Sequence, residues 1–404
     1  MDYMRATVVF VLVYAVLTFG YLMFRYFFSV VHSTLELSHH IRKKNKNFTP
    51  KISIVIPCYN EDLENLEKCI ISACDNSYPY KEVIVVDDGS KNQGSWKTIE
   101  RLQKKYKFKA IRFKKNKGKR QAMYVGFKKS TGDFVVTMDS DSVISSGHSL
   151  MELVRPFQDS TVGSVSGNIQ VLNKDKTLMT KLQWARYWLA FHVEKSSQSP
   201  YNGVTCCPGP FSAYRKEYLM KYLDRWANQE FLGQKCTYGD DRGLTTLMLE
   251  YGHKVKFSKY ALCLTNVPET FKQFTKQQIR WKKSFIRENY YLLKFLHRLN
   301  PFMKVEFTWF WTVFMLGFVA KLLVFGMLIT GNYRLISFAI MIVFVAMLHY
   351  IYAFSRNPGR IGYYGVIYGF LNEFVIMWLF WYADFTLKET ALLKRRKKKK
   401  LKML

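Results

Sequence analysis

Hydrophobic residues are concentrated in four long segments at the two ends of the chain. The first, residues 6–24, contains 19 residues without a formal charge. The other three are residues 307–330, 335–354 and 361–385. Because a helix of about 20 apolar residues crosses the hydrocarbon core of a bilayer, this pattern predicts a membrane protein.

The residues that flank the first segment predict its orientation. A cleaved signal peptide does not fit, because the apolar run is long, no small-residue cleavage site follows it, and aromatic residues continue past Arg25. The basic stretch 39–44 comes soon afterwards. By the positive-inside rule, the middle of the chain is therefore expected to be cytoplasmic.

The last apolar segment is expected to be irregular. The basic tail at residues 394–400 also favours the cytoplasmic side, although three full crossings after a cytoplasmic domain would place it outside. Residues 361–385 contain Glu373, Asp384 and several glycines. We therefore expect this segment to be bent or re-entrant, with its polar groups facing a cavity or the protein interior.

The middle of the chain alternates short β-branched runs with helical stretches. Strands are predicted at residues 52–57, 82–87, 110–113 and 134–138, with a helix at 63–73. This alternation predicts an α/β fold with a doubly wound, Rossmann-like sheet. Ligands of such sheets bind beyond the carboxyl ends of the strands, so the chemistry is expected there.

Two later stretches have an aromatic face. In residues 182–193 the aromatics recur at helical spacing, and residues 277–295 mix aromatic with basic side chains. We interpret both as amphipathic helices at the membrane surface. The alternative is a pair of ordinary core helices of a soluble domain.

The charge balance predicts an anionic partner. The chain of 404 residues has 61 Lys and Arg against 30 Asp and Glu, a formal charge of +31. Nucleic acid, anionic lipid, a nucleotide and an acidic polymer all fit this charge, but a nucleic-acid binder does not account for four membrane-length segments. The seven cysteines form no CxxC pair, which argues against a zinc site or a disulfide framework and for a reducing compartment.

Polar motifs follow the predicted strands. Asp88, in the DDGS sequence after the second strand, can accept hydrogen bonds from a uracil or ribose, or can simply form an Asp-Gly turn. Asp139 and Asp141, a DxD motif after the fourth strand, can hold a hard divalent cation shared with substrate phosphates. Lys119 and Arg120 open the intervening helix and suit a diphosphate, unless they form a solvated basic turn.

Two further motifs supply a base and an acceptor site. In the GDDR sequence, Asp241 is the candidate general base that takes the proton of an attacking hydroxyl, and Asp240 is a candidate helix N-cap. In the QQIRW sequence, Trp281 offers a plane on which a sugar can stack and Arg280 a cation for the departing diphosphate. The amides of Gln277 and Gln278 can bind hydroxyls, although the motif also fits an interfacial anchor.

The order DDG, DxD, GDD and QxxRW between hydrophobic segments resembles the processive family-2 glycosyltransferases, which include cellulose, chitin and hyaluronan synthases. The resemblance covers residues 51–288 and is strongest to hyaluronan synthases. The segments that carry it are 231–233, 235–242, 277–285 with 287–288, and 209–210 with 214–215.

This resemblance implies a glycosyltransferase-A-type domain with interface helices and a transmembrane bundle, and it implies roles for named residues. Tyr59, Glu61 and Asp88 would contact uridine, and Lys119, Arg120, Asp139 and Asp141 would contact diphosphate and Mg²⁺ or Mn²⁺. Cys236 would lie beside the acceptor, Asp241 would be the base and Trp281 the acceptor platform. Asp240 and Arg280 are the further candidate catalytic residues, with Arg280 stabilising the leaving diphosphate.

The sequence departs from the family pattern in four places. Pro208 replaces a serine and Gly243 a bulkier residue, and the WGTR element near the carboxyl end is missing. Only one hydrophobic segment precedes the catalytic domain. The missing element puts a gating or diphosphate contact from the tail in doubt.

The expected organisation has five parts: residues 1–48, a membrane helix and basic segment; 49–270, the catalytic domain; 271–300, interface helices; 301–390, membrane segments; and 391–404, a basic tail. The expected protein is a multi-pass enzyme of the plasma membrane. It would make hyaluronan from UDP-GlcNAc and UDP-GlcA, contact anionic lipids and bind no nucleic acid. The alternatives are a chitin or chitooligosaccharide synthase that uses UDP-GlcNAc only, and a catalytically dead membrane scaffold.

Overall fold

The computed structural model describes residues 2–41, 48–329, 347–348, 350–351 and 359–388. Its strands are β1 Ile52–Cys58, β2 Lys81–Asp87, β3 Lys109–Arg112, β4 Phe134–Thr137, β5 Ser142–Ile144, β6 Val162–Val171, β7 Ser212–Arg215, β8 Glu230–Phe231, β9 Gln234–Lys235 and β10 Lys254–Thr265. Eight of them form one mixed sheet in the order β3-β2-β1-β4-β7-β6-β10-β5, and β8 and β9 form a separate ribbon.

The helices cover the sheet and continue into the membrane segments. They are α1 Asp2–Ile41, α2 Leu63–Cys74, α3 Gln93–Tyr106, α4 Lys119–Lys129, α5 Ser149–Val154, α6 Leu178–Leu189, α7 Ser196–Gln198, α8 Lys216–Ala227, α9 Asp240–Glu250, α10 Phe271–Phe295, α11 Pro301–Ile329, α12 Arg360–Leu371 and α13 Leu379–Phe385. Two π-helical turns, Ala190–Lys195 and Asn372–Ile376, follow α6 and α12.

The four strands predicted from sequence are confirmed, and they form one parallel part of the mixed sheet. Strand β1 pairs in parallel with β2 and β4, and β2 with β3. Every residue of β1 is buried, as expected for a continuous Ile/Val run covered on both faces. Because β2, β1 and β4 are parallel neighbours, the residues that follow them meet at one edge of the sheet.

The first predicted amphipathic helix lies between the sheet and a membrane segment. Thr177 caps α6 and forms a capping box with Thr180. The helix packs on β6 and on α12. Its aromatic face is covered by protein on both sides, since Tyr187 packs against the core of the sheet and Trp188 against a cluster that includes Tyr368.

Three helices are long and apolar enough to cross a membrane: Val9–Ser38, Pro301–Leu323 and Arg360–Phe385. They match three of the four predicted segments. The predicted segment 335–354 lies mostly outside the described residues, as do the basic residues 42–44 and the tail after residue 388.

The last segment is an irregular helix, as its polar residues predicted. The π-helical turn Asn372–Ile376 interrupts it, and such turns commonly bend a helix. Within this turn Glu373 accepts an ion pair at 2.8 Å from Lys321 of α11, and both side chains are largely buried. The prediction that Glu373 faces the protein interior is therefore confirmed.

Candidate active site

The predicted donor-site residues lie along one edge of the sheet. Tyr59 and Glu61 follow β1, Asp88 follows β2, and the DxD carboxylates follow β4. Since β1 lies between β2 and β4, the three groups are adjacent. The side chain of Tyr59 is half-buried and makes no hydrogen bond to another residue in the described part of the chain.

Asp88 organises the loop that opens α4. Its Oδ1 accepts from the backbone N–H of Lys117 at 2.7 Å, and its Oδ2 accepts from the N–H of Gly118 at 2.8 Å and from Asn116 Nδ2 at 2.6 Å. Gly118, at φ +98°, is the N-cap of α4. Gly89 is needed for close approach, because a Cβ there would lie 2.7 Å from the carbonyl carbon of Lys115. Asp88 thus does more than form an Asp-Gly turn.

The DxD motif forms an acidic group with Glu61. Ser140 Oγ donates to Glu61 Oε2 at 2.7 Å, and Asp141 Oδ1 accepts from Thr265 Oγ1 of β10 at 3.3 Å. Burial, together with the neighbouring charges of Asp139 and Glu61, raises the pKa of Asp141 to about 7. A buried cluster of carboxylates of this kind is stabilised by a cation.

Lys119 supplies the one cation seen on this group in the described part of the chain, through an ion pair with Asp139. No set of three or more His, Cys, Asp or Glu side chains surrounds a common point in the same described ranges. A divalent ion at Asp139 and Asp141 would therefore complete its coordination with phosphate or water oxygens, which is how Mg²⁺ is commonly bound.

Asp241 faces the DxD motif across Gly209. Its Oδ2 accepts from the N–H of Gly209 at 3.2 Å, and its Oδ1 accepts from the N–H of Arg242 at 2.8 Å. A Cβ on Gly209 would lie 3.1 Å from Asp139 Oδ1. The carboxylates of Asp139 and Asp241 therefore both lie close to Gly209.

The loop that carries Gly209 is tied to α9. The N–H of Cys207 donates to Thr245 Oγ1 at 2.8 Å, and Thr245 Oγ1 donates to the carbonyl of Asp241 at 2.8 Å. Arg242, expected to fix the surroundings of Asp241, places its guanidinium 5.3 Å from the ring centre of Phe285 on α10. These contacts give the Asp241 carboxylate a fixed orientation.

Asp240 and Arg120 occupy other positions than the sequence predicts. Gly239 is the N-cap of α9, so the predicted capping role of Asp240 is wrong. The Asp240 carboxylate instead accepts from Arg120 Nε at 2.6 Å. Both side chains are buried, so Arg120 is engaged with Asp240 and is not an exposed cation at the start of α4.

The acceptor motif lies on α10, whose Thr270 N-cap forms a capping box with Gln273. Arg280 and Trp281 are exposed, and their side chains make no hydrogen bond or ring contact within the described ranges. Gln278 is half-buried, and the buried Oε1 of Gln277 has no hydrogen-bond partner among the described residues.

Helix geometry places Trp281 near the Asp241 loop. Trp281 and Ser284 are three residues apart and share a face of α10. Ser284 packs on Gly239, where a Cβ would lie only 2.3 Å from Ser284 Cβ. The exposed indole is thus one helical turn from the loop that carries Asp241, although the two side chains do not touch through a hydrogen bond.

Cys236 lies in a small pocket beside the same helix. The N–H of Cys236 donates to the carbonyl of Gln229 at 3.0 Å, and its side chain lines the pocket with Lys283, Arg287 and Leu387. Burial raises the pKa of the Cys236 thiol. Lys283 Nζ also donates to the carbonyl of Thr386, so the end of α13 rests on α10 where the family's missing WGTR element would follow.

Sequence reasoning missed a group of residues behind Asp241. Trp226 and Arg287 donate to the backbone carbonyls of Asp240 and Tyr238 at the start of α9, and Gln229 and Glu288 bond to one another beside them. In the sequence, charged and amide residues that lie among other polar residues are interpreted as exposed to solvent. Only the resemblance to hyaluronan synthases at residues 287–288 indicated that part of this group has a role.

Known proteins resemble this chain in sequence. Residues 53–223 match the model of glycosyl transferase family 2. A hyaluronan synthase of Streptococcus pyogenes is 34% identical over 366 residues, covering 88% of this chain and 85% of that protein. An N-acetylglucosaminyltransferase of Rhizobium meliloti is 36% identical over 262 residues, covering 64% of this chain and 61% of that protein.

A solved structure shows the same fold. The mannosyltransferase of Pyrobaculum calidifontis, in complex with GDP-Man and Mn²⁺, superimposes with a TM-score of 0.57 at 17% identity, covering 88% of this chain and 99% of that chain. The predicted glycosyltransferase-A-type sheet is thereby confirmed. With its three membrane-length helices and its extended identity to hyaluronan synthases, the chain belongs to the family-2 glycosyltransferases and is a glycosyltransferase close to the hyaluronan synthases.

Proposed function

We propose that this protein is a processive, inverting polysaccharide synthase that makes hyaluronan from UDP-GlcNAc and UDP-GlcA and passes it through the plasma membrane. The observation that carries the proposal is the meeting of Asp139 and Asp241 at Gly209. This arrangement supports a role of Asp241 as the base beside a diphosphate held at Asp139. The identity to hyaluronan synthases across most of the chain supports the choice of sugars.

The donor would occupy the edge beyond β1, β2 and β4. Tyr59 and Glu61 would contact its uridine, and Lys119 would face its diphosphate. Asp139 and Asp141 fit a divalent cation, Mg²⁺ or Mn²⁺, because they offer the hard oxygen ligands that such ions prefer. Burial, together with the neighbouring carboxylates of Asp139 and Glu61, raises the pKa of Asp141, and a bound cation would offset this cost. When bound, such an ion neutralises the developing charge of the leaving diphosphate.

The acceptor would approach from α10. Its terminal sugar would stack on Trp281, its hydroxyls would bind the amides of Gln277 and Gln278, and Cys236 would line the neighbouring pocket. Asp241 would take the proton of the attacking hydroxyl, which attacks the anomeric carbon from the face opposite UDP and inverts it. Arg280 is free to turn toward the departing diphosphate, because it is exposed.

In this proposal Arg120 and Asp240 do not touch the substrates. Their mutual bond is buried, so they would act by placing Asp241. The catalytic domain would be cytoplasmic, where UDP-sugars are supplied. Anionic lipids would meet the basic residues that flank the membrane helices.

A donor-dropout assay tests the proposed function. The purified full chain in detergent, given Mg²⁺ or Mn²⁺ and both UDP-sugars, is expected to release UDP and to form a polymer that hyaluronidase digests. Omission of either donor is expected to stop polymer formation.

A second candidate function is a chitin or chitooligosaccharide synthase, which the identity to the Rhizobium meliloti enzyme favours. Polymer formed from UDP-GlcNAc alone and digested by chitinase would establish this function instead. Absence of UDP release with every donor would leave a membrane scaffold on a glycosyltransferase fold.

A further inference from the structure

Buried charged groups connect the donor side of the cleft to the acceptor helix behind Asp241. On the donor side, Arg120 of α4 donates to Asp240 at 2.6 Å and to the carbonyl of Trp226 at 3.0 Å. Its guanidinium also lies 5.2 Å from the ring centre of Trp226, whose Nε1 donates to the carbonyl of Asp240 at 2.9 Å. Asp240 is thus held through both its carboxylate and its backbone.

On the acceptor side, α10 holds the residues just before Asp240. Arg287 donates from Nη2 to the carbonyl of Tyr238 at 3.0 Å and to that of Gly239 at 3.3 Å. Its Nε donates to Glu288 Oε1 at 2.7 Å, and the two side chains are only 4% and 2% exposed. The start of α9, which carries Asp241, is therefore hydrogen-bonded to α4 through Asp240 and to α10 through the two residues before it.

Gln229 joins the two halves. Its Oε1 accepts from Arg120 Nη1 at 3.2 Å, and its Nε2 donates to Glu288 Oε1 at 3.1 Å. An amide is suited to this position, because it offers an acceptor to the cation and a donor to the carboxylate. A carboxylate or an ammonium at residue 229 would repel one of the two.

This network is better suited to positioning than to stability. Buried ion pairs lose about as much solvation free energy as they gain from attraction, so they contribute little net stability but hold one arrangement of groups. A displacement of a catalytic group by about 1 Å can cost roughly a hundredfold in rate.

We infer that Gln229 is a positioning residue, which couples α4 and α10 so that Asp241 sits at a fixed place relative to donor and acceptor. The inference rests on the proposed role of Asp241 as base. It assigns no substrate contact to Gln229, Arg120, Asp240, Arg287 or Glu288.

Gln229→Met tests this inference, because methionine is of similar size, leaves both ion pairs in place and removes only the bridging amide. The expected result in detergent is a kcat for UDP release lowered roughly ten- to a hundredfold, with the KM of each donor and the Kd of UDP unchanged within about twofold. Asn228→Ala is the matched control, since Asn228 is the exposed neighbour whose side chain bonds only to the carbonyl of Asp224 in the described part. It should behave as the unaltered enzyme.

A double variant separates positioning from general loosening. On Asp241→Asn, the Gln229→Met change should lower the residual UDP release no further, because both changes act through one carboxylate. Multiplying losses would overturn the inference, as would a kcat equal to that of the unaltered enzyme.

Gln229→Glu provides a second route if Gln229→Met does not fold. It keeps the acceptor for Arg120 but replaces the donor to Glu288, and it should show the same split between kcat and KM. A parallel fall of kcat, UDP affinity and melting temperature would assign Gln229 a merely structural role and overturn the inference. Absence of UDP release by the unaltered enzyme would count against the proposed function instead.

Discussion

Asp241 is held by two backbone N–H groups that leave it facing Asp139 across Gly209. Asp241→Asn keeps the size of the side chain and removes the ability to accept a proton. We expect turnover to fall by roughly 10²–10⁴-fold, as for the loss of a general base. UDP binding, measured by calorimetry, should remain nearly unchanged.

The control for this variant is Asp175→Asn, an exposed carboxylate far along the chain from the motifs. Turnover of Asp175→Asn should equal that of the unaltered enzyme. If Asp241→Asn retained full turnover, Asp241 would have no part in the mechanism.

Asp88 presents a different case, because its carboxylate is already engaged by the loop before α4. In Asp88→Asn an amide nitrogen would meet backbone N–H donors, so the loop and Lys119 behind it should lose their placement. We expect the Kd of UDP to rise by roughly tenfold or more, on the scale of one charge-assisted hydrogen bond. Calorimetry with UDP and the metal measures this change.

Asn116→Ala provides the graded comparison for Asp88→Asn. It removes one neutral donor to the same carboxylate and leaves the two backbone donors in place. Its effect on UDP affinity should be smaller. Equal affinities of Asp88→Asn and the unaltered enzyme would show that the loop does not depend on Asp88.

At single positions, the sequence indicated which residues carry the chemistry better than it indicated where their side chains point. Asp139, Asp141 and Asp241 were found because an acidic residue at a strand end or helix start is a local signal. Arg120 was placed at a diphosphate, but its side chain points toward Asp240, a residue 120 positions away. Gln229 had no local signal at all, since its two partners come from α4 and α10.

Secondary-structure elements differ in the same way: those with a local sequence signal were predicted, and those that depend on distant contacts were missed. The parallel strands β1, β2 and β4 were predicted nearly to the residue, because burial on both faces gives continuous β-branched and apolar runs. Strand β6 was missed, since its interior carries the fully buried Ser164, Ser166 and Gly167. Strand β10 was missed because lysines alternate with its apolar residues. Their pairing depends on tertiary contacts that local patterns do not contain.

One carboxylate, that of Glu82, links the beginnings of the four parallel strands β1 to β4 by hydrogen bonds. Glu82 of β2 accepts from Ser53 of β1 at 2.6 Å, from Lys109 of β3 at 2.8 Å, and from Thr131 Oγ1, before β4, at 2.8 Å. Partial burial raises the pKa of Glu82, but the hydrogen bonds from these three residues outweigh it and lower the pKa to about 2.

This pKa predicts how stability depends on pH. A lowered pKa in the folded state means that the stabilisation is fully present above the unfolded value near 4.5 and is lost as the pH falls toward 2. Glu82→Gln should therefore lower the melting temperature clearly at pH 7, and the difference from the unaltered protein should shrink between pH 4.5 and pH 3. Thermal unfolding followed by tryptophan fluorescence measures both.

Glu217→Gln is the control for the sheet, because Glu217 is exposed and accepts no side-chain hydrogen bond in the described part of the chain. Its melting temperature should follow that of the unaltered protein at every pH. If the difference in melting temperature between Glu82→Gln and the unaltered protein stayed constant down to pH 3, the lowered pKa of Glu82 would not be its cause.

Across the whole molecule, the catalytic domain and the membrane helices meet at a polar centre. Glu306, near the start of α11, accepts from Arg25 of α1 at 3.1 Å, from Gln198 at 3.1 Å and from Tyr201 Oη at 2.8 Å. All four side chains are buried or nearly so. A single carboxylate thus joins α1 and α11 to α7 and to Tyr201 just after it.

Removal of the Glu306 charge should weaken the contact between the catalytic domain and the membrane helices and lower the stability of the protein. Glu306→Gln leaves the buried Arg25 without its counter-charge, a change that typically costs about 3–5 kcal/mol. We expect the melting temperature in detergent to fall by several degrees. Arg25→Met combined with Glu306→Met should recover part of that loss, because the double variant buries no unpaired charge.

Glu64→Gln is the comparison, since the Glu64–Lys68 pair is exposed and should contribute less than about 1 kcal/mol. Equal melting temperatures for Glu306→Gln and Glu64→Gln would mean that this contact does not depend on Glu306, and that the domain is held to the membrane helices by apolar packing alone.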